Sequence, residues 1–329
     1  PAARLGRGLA LNNIVVSSSG ALAPTLGGLV LGFASWQWIF AAAVPLGVLS
    51  MLIGRRSLPE PVRRDEPYDV LAAVLCALTF GLVIGGLESA VHGDSPVISV
   101  AIIAAGAVIG FVFVRRELTS NEPILPVDLL ARPDLSLSIG GAMLAFIGSM
   151  TVLLSMPFRL QETFGYSPSE VGALISPWPL GMMAFGPLAG VLSDRIPARI
   201  LGSIGMSVAT IALLFIAFLP ADADYFAIAW RMALAGAGFG LFLAPNARLV
   251  IGAAPPHRAA SAGGMLSTTR LTGQAFGATV VAALFAANLG NGRTPAIVAA
   301  VLAFGAALCC VARKAGPVVA QRNEDAGDS

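Results

Sequence analysis

Ten runs of about twenty mostly apolar residues follow one another along the chain, each long enough to cross a bilayer as a helix. They fall at roughly 9–33, 37–54, 70–91, 96–114, 136–158, 171–192, 200–219, 225–250, 267–289 and 295–312. A backbone removed from water must pair its own N–H and C=O groups, and in runs of this length the helix does so locally. The expected fold class is therefore an all-α integral membrane protein of about ten transmembrane helices embedded in a lipid bilayer. Composition agrees: 56% of the 329 residues are hydrophobic, 12% are charged and the mean hydropathy is +0.82. Soluble domains carry about a quarter of charged residues.

Charge distribution orients the runs. Arg55, Arg56, Arg63, Arg64, Arg115, Arg116, Arg132, Arg195, Arg199, Arg258 and Arg313 fall in alternate connections and at the chain ends, while only Arg159 and Arg293 fall in the others. Arginine in short connections resists translocation, so both termini of this chain are expected in the cytoplasm. The net charge of +2 is spread over these clusters and forms no stripe for nucleic acid. Cys76, Cys309 and Cys310 lie inside apolar runs and read as small core residues. His92 and His257 lie far apart in loops, so no metal site is expected. There is no phosphate-binding loop and no catalytic cluster; the chain is not expected to be an enzyme or to have catalytic residues. It opens on Pro1, from which we expect a piece of a longer protein.

Two long polar connections divide the runs. Leu58–Asp69 (LPEPVRRDEPYD) is rich in charge and proline, and Arg115–Asp134 forms the second. The expected organisation is two helices in 1–57, an inserted pair with its loops in 58–135, six helices in 136–313 and a polar tail in 314–329.

The first run contains GALAPTLGG (Gly20–Gly28). Pro24 has no N–H for the carbonyl four residues back, so the helix must bend there, and Gly20, Gly27 and Gly28 leave the bend without side chains. Asn13, Ser17, Gly20, Pro24 and Gly28 share one face. With the following WQWIFAAAVPLGVL (Trp36–Leu49), this stretch resembles the antiporter motif and next helix of the fourteen-span drug:proton antiporter branch of the major facilitator superfamily. GPLAGVLSDRIPARILG (Gly186–Gly202) resembles that superfamily's G-x-L-x-D-R-x-G-R-R loop, with Gly190, Asp194, Arg195 and Arg199 in the gating positions. Pro197 and Ala198 depart from its pattern. SMPFRLQETFGYSPSEVGALISPWPLG (Ser155–Gly181) is similar to another helix junction of the branch, and Ser167 with Glu170 forms a capping box there.

The resemblance implies a partial major facilitator fold that lacks the first four spans. It implies proton-coupled export of small hydrophobic or cationic drugs by alternating access, with no cofactor beyond the coupling proton. The expected setting is a bacterial inner membrane, with the protein acting as a monomer. Candidate cavity residues are Asn13, Ser17, Gln161, Arg231 and Arg270, with Met143, Met150, Met156, Met182 and Met183 along the walls. Arg231 lies about six residues inside its run, where it either faces a cavity or snorkels to the surface. Gln161 either faces the cavity mouth or ends a helix in solvent. Arg270 occupies a family arginine position, and Gly273 and Gly277 are expected to pack a neighbour closely. The same is expected of the pairs Gly81 with Gly85, Gly106 with Gly110, Gly186 with Gly190, and Gly236 with Gly240. Alternatives are an exporter of one specific metabolite, or a membrane-embedded receptor, scaffold or enzyme.

Overall fold

Proline and glycine decide where the apolar runs of this chain break and where they touch. In the computed structural model, residues 27, 30, 35, 37–57, 69–91, 95–119, 127–193, 195–220, 222–254 and 259–313 are described. Every regular element among them is helical: α1 (Gln37–Ser57), α2 (Val70–Val91), α3 (Pro96–Thr119), a 3₁₀ turn (Val127–Ala131), α4 (Pro133–Glu162), α5 (Pro168–Ile175), α6 (Pro177–Leu192), α7 (Ala198–Ala217), α8 (Tyr225–Gly252), α9 (Ala259–Ala286) and α10 (Thr294–Ala312). Among the described residues seven helical stretches, counting Pro168–Leu192 as one, are long and apolar enough to cross a membrane; α9, over the expected run at 267–289, is not one of them. The run at 9–33 lies outside the described residues, apart from two isolated helical positions.

Two boundaries differ from expectation for physical reasons. Instead of one continuous helix over 171–192, α5 ends at Ile175 and α6 begins at Pro177. The sequence Ser176-Pro-Trp-Pro removes two N–H donors within three residues. The Ser176 hydroxyl turns back to the Gly172 carbonyl at 2.8 Å and its amide bonds the same carbonyl, so the break leaves that acceptor satisfied. α9 starts at Ala259 rather than near 267, because its first turns carry Ser261, Gly263 and Gly264 instead of bulky apolar residues. Ala262 and Leu266 pack with Leu135 and Val250, which extends the helix where hydropathy alone does not.

Helices in lipid gain nothing from hydrophobic burial against one another, so close backbone contact must hold them, and small residues permit it. α8 is the axis of this packing. A side chain on Gly236 would overlap the Trp178 carbonyl of α6, and one on Gly240 would come within 2.9 Å of the Met182 carbonyl. Gly238 turns to the other side, where its Cβ would stand 2.5 Å from the Gly205 carbonyl of α7. The GAGFG string thus lets α8 lie against two helices at once.

The same rule closes the remaining contacts. α4 meets α9 at Gly273 and Gly277, whose added Cβ atoms would reach Phe146 and Met150 at 2.7 Å, as expected. α4 meets α10 at Gly148, 3.1 Å from the Ala299 carbonyl by the same measure, beside the fully buried Ala303 and Ala306. α2 and α3 form a hairpin packed through Gly86, Gly106 and Gly110. Gly81 and Gly85 do not serve this contact: added Cβ atoms there meet nothing within 4 Å among the described residues, and the same holds for Gly186 and Gly190. Four-residue spacing puts two glycines on one face without saying which face meets a neighbour.

The core lies between α4, α7, α8 and α10, with Trp178 against Phe239 at 5.0 Å between ring centroids. The hairpin docks on this bundle through α2 against α9, and the 3₁₀ turn packs between α3 and α4. α1 presents Trp38, Phe40, Val44 and Leu49 outward.

Candidate functional site

The two ends of the bundle carry different chemistry. At one end, Arg132 donates to the Ala253 carbonyl at 3.4 Å, Arg248 to the Ser193 hydroxyl at 3.0 Å, and Arg199 to the Arg313 carbonyl at 3.3 Å. These contacts gather the starts of α4 and α7 with the ends of α6, α8 and α10. At the opposite end stand Arg159 and Arg293, the latter over the Phe218 ring at 5.9 Å. The alternation of arginine along the sequence is thus an alternation between bundle ends.

Asp194, of the expected gating loop, lies outside the described residues. Of its companions, Arg195 is exposed and Arg199 is half-buried, bonded to a main-chain carbonyl of α10's end. Pro197 caps α7 with extended backbone, φ −53° and ψ 137°, so the departure from the loop pattern falls at the first residue before the helix. Gly190 lies near the end of α6 on its open side.

Among the described residues, no contact joins the expected cavity residues Gln161, Arg231 and Arg270. Asn13, Ser17, Gly20, Pro24 and Gly28 lie outside the described residues; Gly27 is helical and half-buried with open space at its Cα. Gln161 is exposed and donates to the Pro157 carbonyl one turn back, at 3.3 Å. That is a carbonyl near the end of its own helix. Arg231 is half-buried; its guanidinium bends back to the Ala227 carbonyl at 2.6 Å and lies 4.5 Å from the Trp230 ring centroid. This direction is toward the start of α8, the direction a snorkelling side chain takes. Arg270 is exposed on α9. Met156 is buried in the core, and Met143 and Met150 pack against the α9 glycines, so these methionines fill helix contacts.

Sequence reasoning named Arg270 on α9 and missed Ser267 and Gln274, which share its face. Ser267, Arg270 and Leu271 are exposed and Gln274 is half-buried, at helical spacing beside the glycines that meet α4. The spacing was visible in STTRLTGQ. Arg159, read only as a loop charge, is buried and donates to the Ile216 carbonyl at 2.8 Å and the Ala217 carbonyl at 3.4 Å. It adds side-chain donors to the carbonyl end of α7, where the Ile216 carbonyl also accepts from the Leu219 amide at 3.3 Å. Ser167 and Glu170 make the expected capping box, with the Ser167 amide donating to the Glu170 carboxylate at 2.8 Å.

Asn246, also missed, is the polar group at the arginine-rich end of α8, directly after Pro245. It is buried, donates to the Ser138 carbonyl of α4 at 3.3 Å and accepts from Arg313 at 2.7 Å. Three helices are tied by one amide. Among the described residues no group of three metal-ligating side chains occurs.

Stacked spans, glycine-lined contacts and a charged, polar helix face together define a multi-pass membrane protein. A family model described as the Major Facilitator Superfamily matches residues 138–328. The uncharacterized transporter YebQ of Escherichia coli K12 is 41% identical over 93% of this chain and 67% of its own length. The riboflavin transporter RibZ of Clostridioides difficile 630 is 25% identical over 88% of this chain and 63% of its own length. The multidrug resistance protein Stp of Mycobacterium tuberculosis is 28% identical over 86% of this chain and 53% of its own length. The chain belongs to the major facilitator superfamily. It is therefore a transporter-family protein and not an enzyme, and it spans between half and two thirds of the length of these relatives.

Proposed function

We propose that the full-length protein is a secondary transporter of a bacterial inner membrane that exports amphipathic or cationic small molecules in exchange for protons. The observation that carries this reading is the face of α9 with Ser267, Arg270 and Gln274. Charged and amide groups on a membrane helix are costly against lipid, roughly 2.5 to 3.5 kcal/mol for a central arginine, so such a face belongs against water or protein. A substrate cavity bounded by α9 supplies both. Similarity to Stp supports a drug-type substrate.

In this proposal residues 1–57 close the amino-terminal bundle, 58–135 form an inserted pair, 136–313 form the carboxy-terminal bundle and 314–329 a tail. The arginine-rich end faces the cytoplasm. The span with Gly20, Pro24, Gly27 and Gly28 is the surface on which the two bundles rock, and Gly190, Asp194, Arg195 and Arg199 form the cytoplasmic gate. Asn13, Ser17, Gln161, Arg231 and Arg270 border the route, and the transporter works as a monomer.

Expression of the full-length gene in a strain stripped of its own efflux pumps tests the reading. Resistance to lipophilic cations should rise several-fold and fall when a protonophore is added; no change in resistance to any such compound would reject it. A second reading, export of one specific metabolite, is favoured by similarity to the riboflavin transporter RibZ. It predicts accumulation of that metabolite in the medium with drug resistance unchanged.

A further inference from the structure

α9 is long enough to cross a bilayer but too polar to be held there by lipid alone. It has 28 residues, yet it is not among the seven stretches apolar enough to span. Arg270 stands eleven residues after Ala259, about 16 Å into the helix, with Ser267, Thr268, Thr272 and Gln274 on the adjoining turns. An arginine at that depth is costly against lipid. Something other than hydropathy must keep α9 across the membrane.

α2 and α3 are the reverse case. They are the most apolar and the least buried of the seven spanning stretches, with Val74, Leu78, Val100, Val108 and Phe111 exposed. Glycines weld them into a hairpin, and the chief contact of α2 with the bundle is with α9. The two spans that lipid holds best therefore lie beside a helix that lipid holds poorly. Threonines on both helices bond within their own helix: Thr79 of α2 donates to the Leu75 carbonyl at 2.7 Å, and Thr269 and Thr279 of α9 donate to the Met265 and Ala275 carbonyls at 2.8 Å and 3.1 Å. Those hydroxyls ask nothing of a neighbour, so apolar α2 can rest on α9. Ser267, Arg270 and Leu271 stay exposed, which puts α2 on another side of the helix. Lipid tails are as apolar as leucine, so what α2 offers α9 is a fixed packing surface rather than a better solvent.

We propose that the α2–α3 hairpin is a lipid-anchored brace that keeps α9 across the membrane, and so lets that helix carry polar groups its own hydropathy would not support. α4 holds the glycine side of α9, the hairpin holds a second side, and the polar side is left open. The role does not depend on what is transported or on the coupling ion.

The test uses the full-length protein in cells, with its cysteines replaced and a single cysteine returned as Asn288→Cys, at an exposed position just beyond α9. A membrane-impermeant maleimide reaches that cysteine from the face opposite the arginine-rich end only when α9 spans. Replacing residues 70–119 with a flexible linker should lower this labelling several-fold. Adding Ser267→Leu and Gln274→Leu makes α9 more apolar without touching the hairpin, so the pair should restore labelling in the shortened chain and change it little in the intact one. Labelling undiminished without the hairpin would overturn the proposal. A loss that the two leucines do not repair would overturn it as well, because that is a general failure to fold and not a failure to retain α9. Transport is not measured, so either outcome stands apart from the success or failure of the export reading.

Discussion

The Trp178 carbonyl of α6 occupies the place a side chain on Gly236 of α8 would need. Backbone therefore lies on backbone where the broken span crosses the central helix, and Trp178 itself is free to pack on Phe239 three residues further along α8. Gly236→Ala should destabilise the bundle by about 1–3 kcal/mol, the usual cost of overpacking. Gly252→Ala, at the open end of the same helix, should be neutral or stabilising, because nothing lies within 4 Å and alanine is the better helix former. Unfolding of purified variants in detergent checks the pair.

Arg159 should be worth more than a surface charge. Arg159→Ala removes two charge-assisted hydrogen bonds from the last turn of α7 and should cost about 1.5–3 kcal/mol, the range for hydrogen bonds to charged groups. Arg159→Lys should restore only part of this, because an ammonium lacks the planar fork. The same unfolding measurement reads both.

Gly190 separates stability from transport. No described residue lies within 4 Å of a Cβ placed there, so Gly190→Leu should leave the melting temperature of the bundle unchanged. If the α6 end packs against the opposite bundle during the cycle, the same variant should lose export. A resistance assay alongside a melting curve checks the two halves of this statement.

The Asp69 carboxyl, at the start of α2, accepts from the Ala72 amide at 2.9 Å and from Arg116 of α3 at 3.0 Å. The amide bond first, and then Arg116, hold it below the ordinary carboxylate range. A carboxyl lowered on folding contributes above its unfolded value, about 4, and the contribution is lost as pH falls through the lower folded value. The α2–α3 hairpin end should therefore be pinned at neutral pH and loosen in acid, with Asp69→Asn loose at both. Spin-label distances across residues 69 and 116-adjacent positions check this; the effect should be small because the pair is exposed.

Much of the architecture was legible because membrane helices are announced by length and hydropathy, and α2, α3, α7 and α10 fall within a few residues of the expected runs. Gly236 with Gly240 and Gly273 with Gly277 were legible as contact faces. Gly81 with Gly85 and Gly186 with Gly190 have the same spacing but opposite outcomes, since periodicity fixes which residues share a face and not what the face meets. Ser176-Pro-Trp-Pro carried the signal for the α5–α6 break, masked by the apolar run around it. Arg313 reads in sequence as one more positive anchor after a span. Only its neighbour in space, Asn246, isolated in an apolar helix behind Pro245, hinted at a buried partner.

Proton-coupled export is the claim on which the functional account rests, and reconstitution measures it most directly. Full-length protein in proteoliposomes, given an inward-facing or outward-facing pH gradient, should move a lipophilic cation against the proton flux, and Pro24→Ala should abolish that movement while the protein still inserts. Transport that ignores the pH gradient, or that follows a sodium gradient instead, would contradict it.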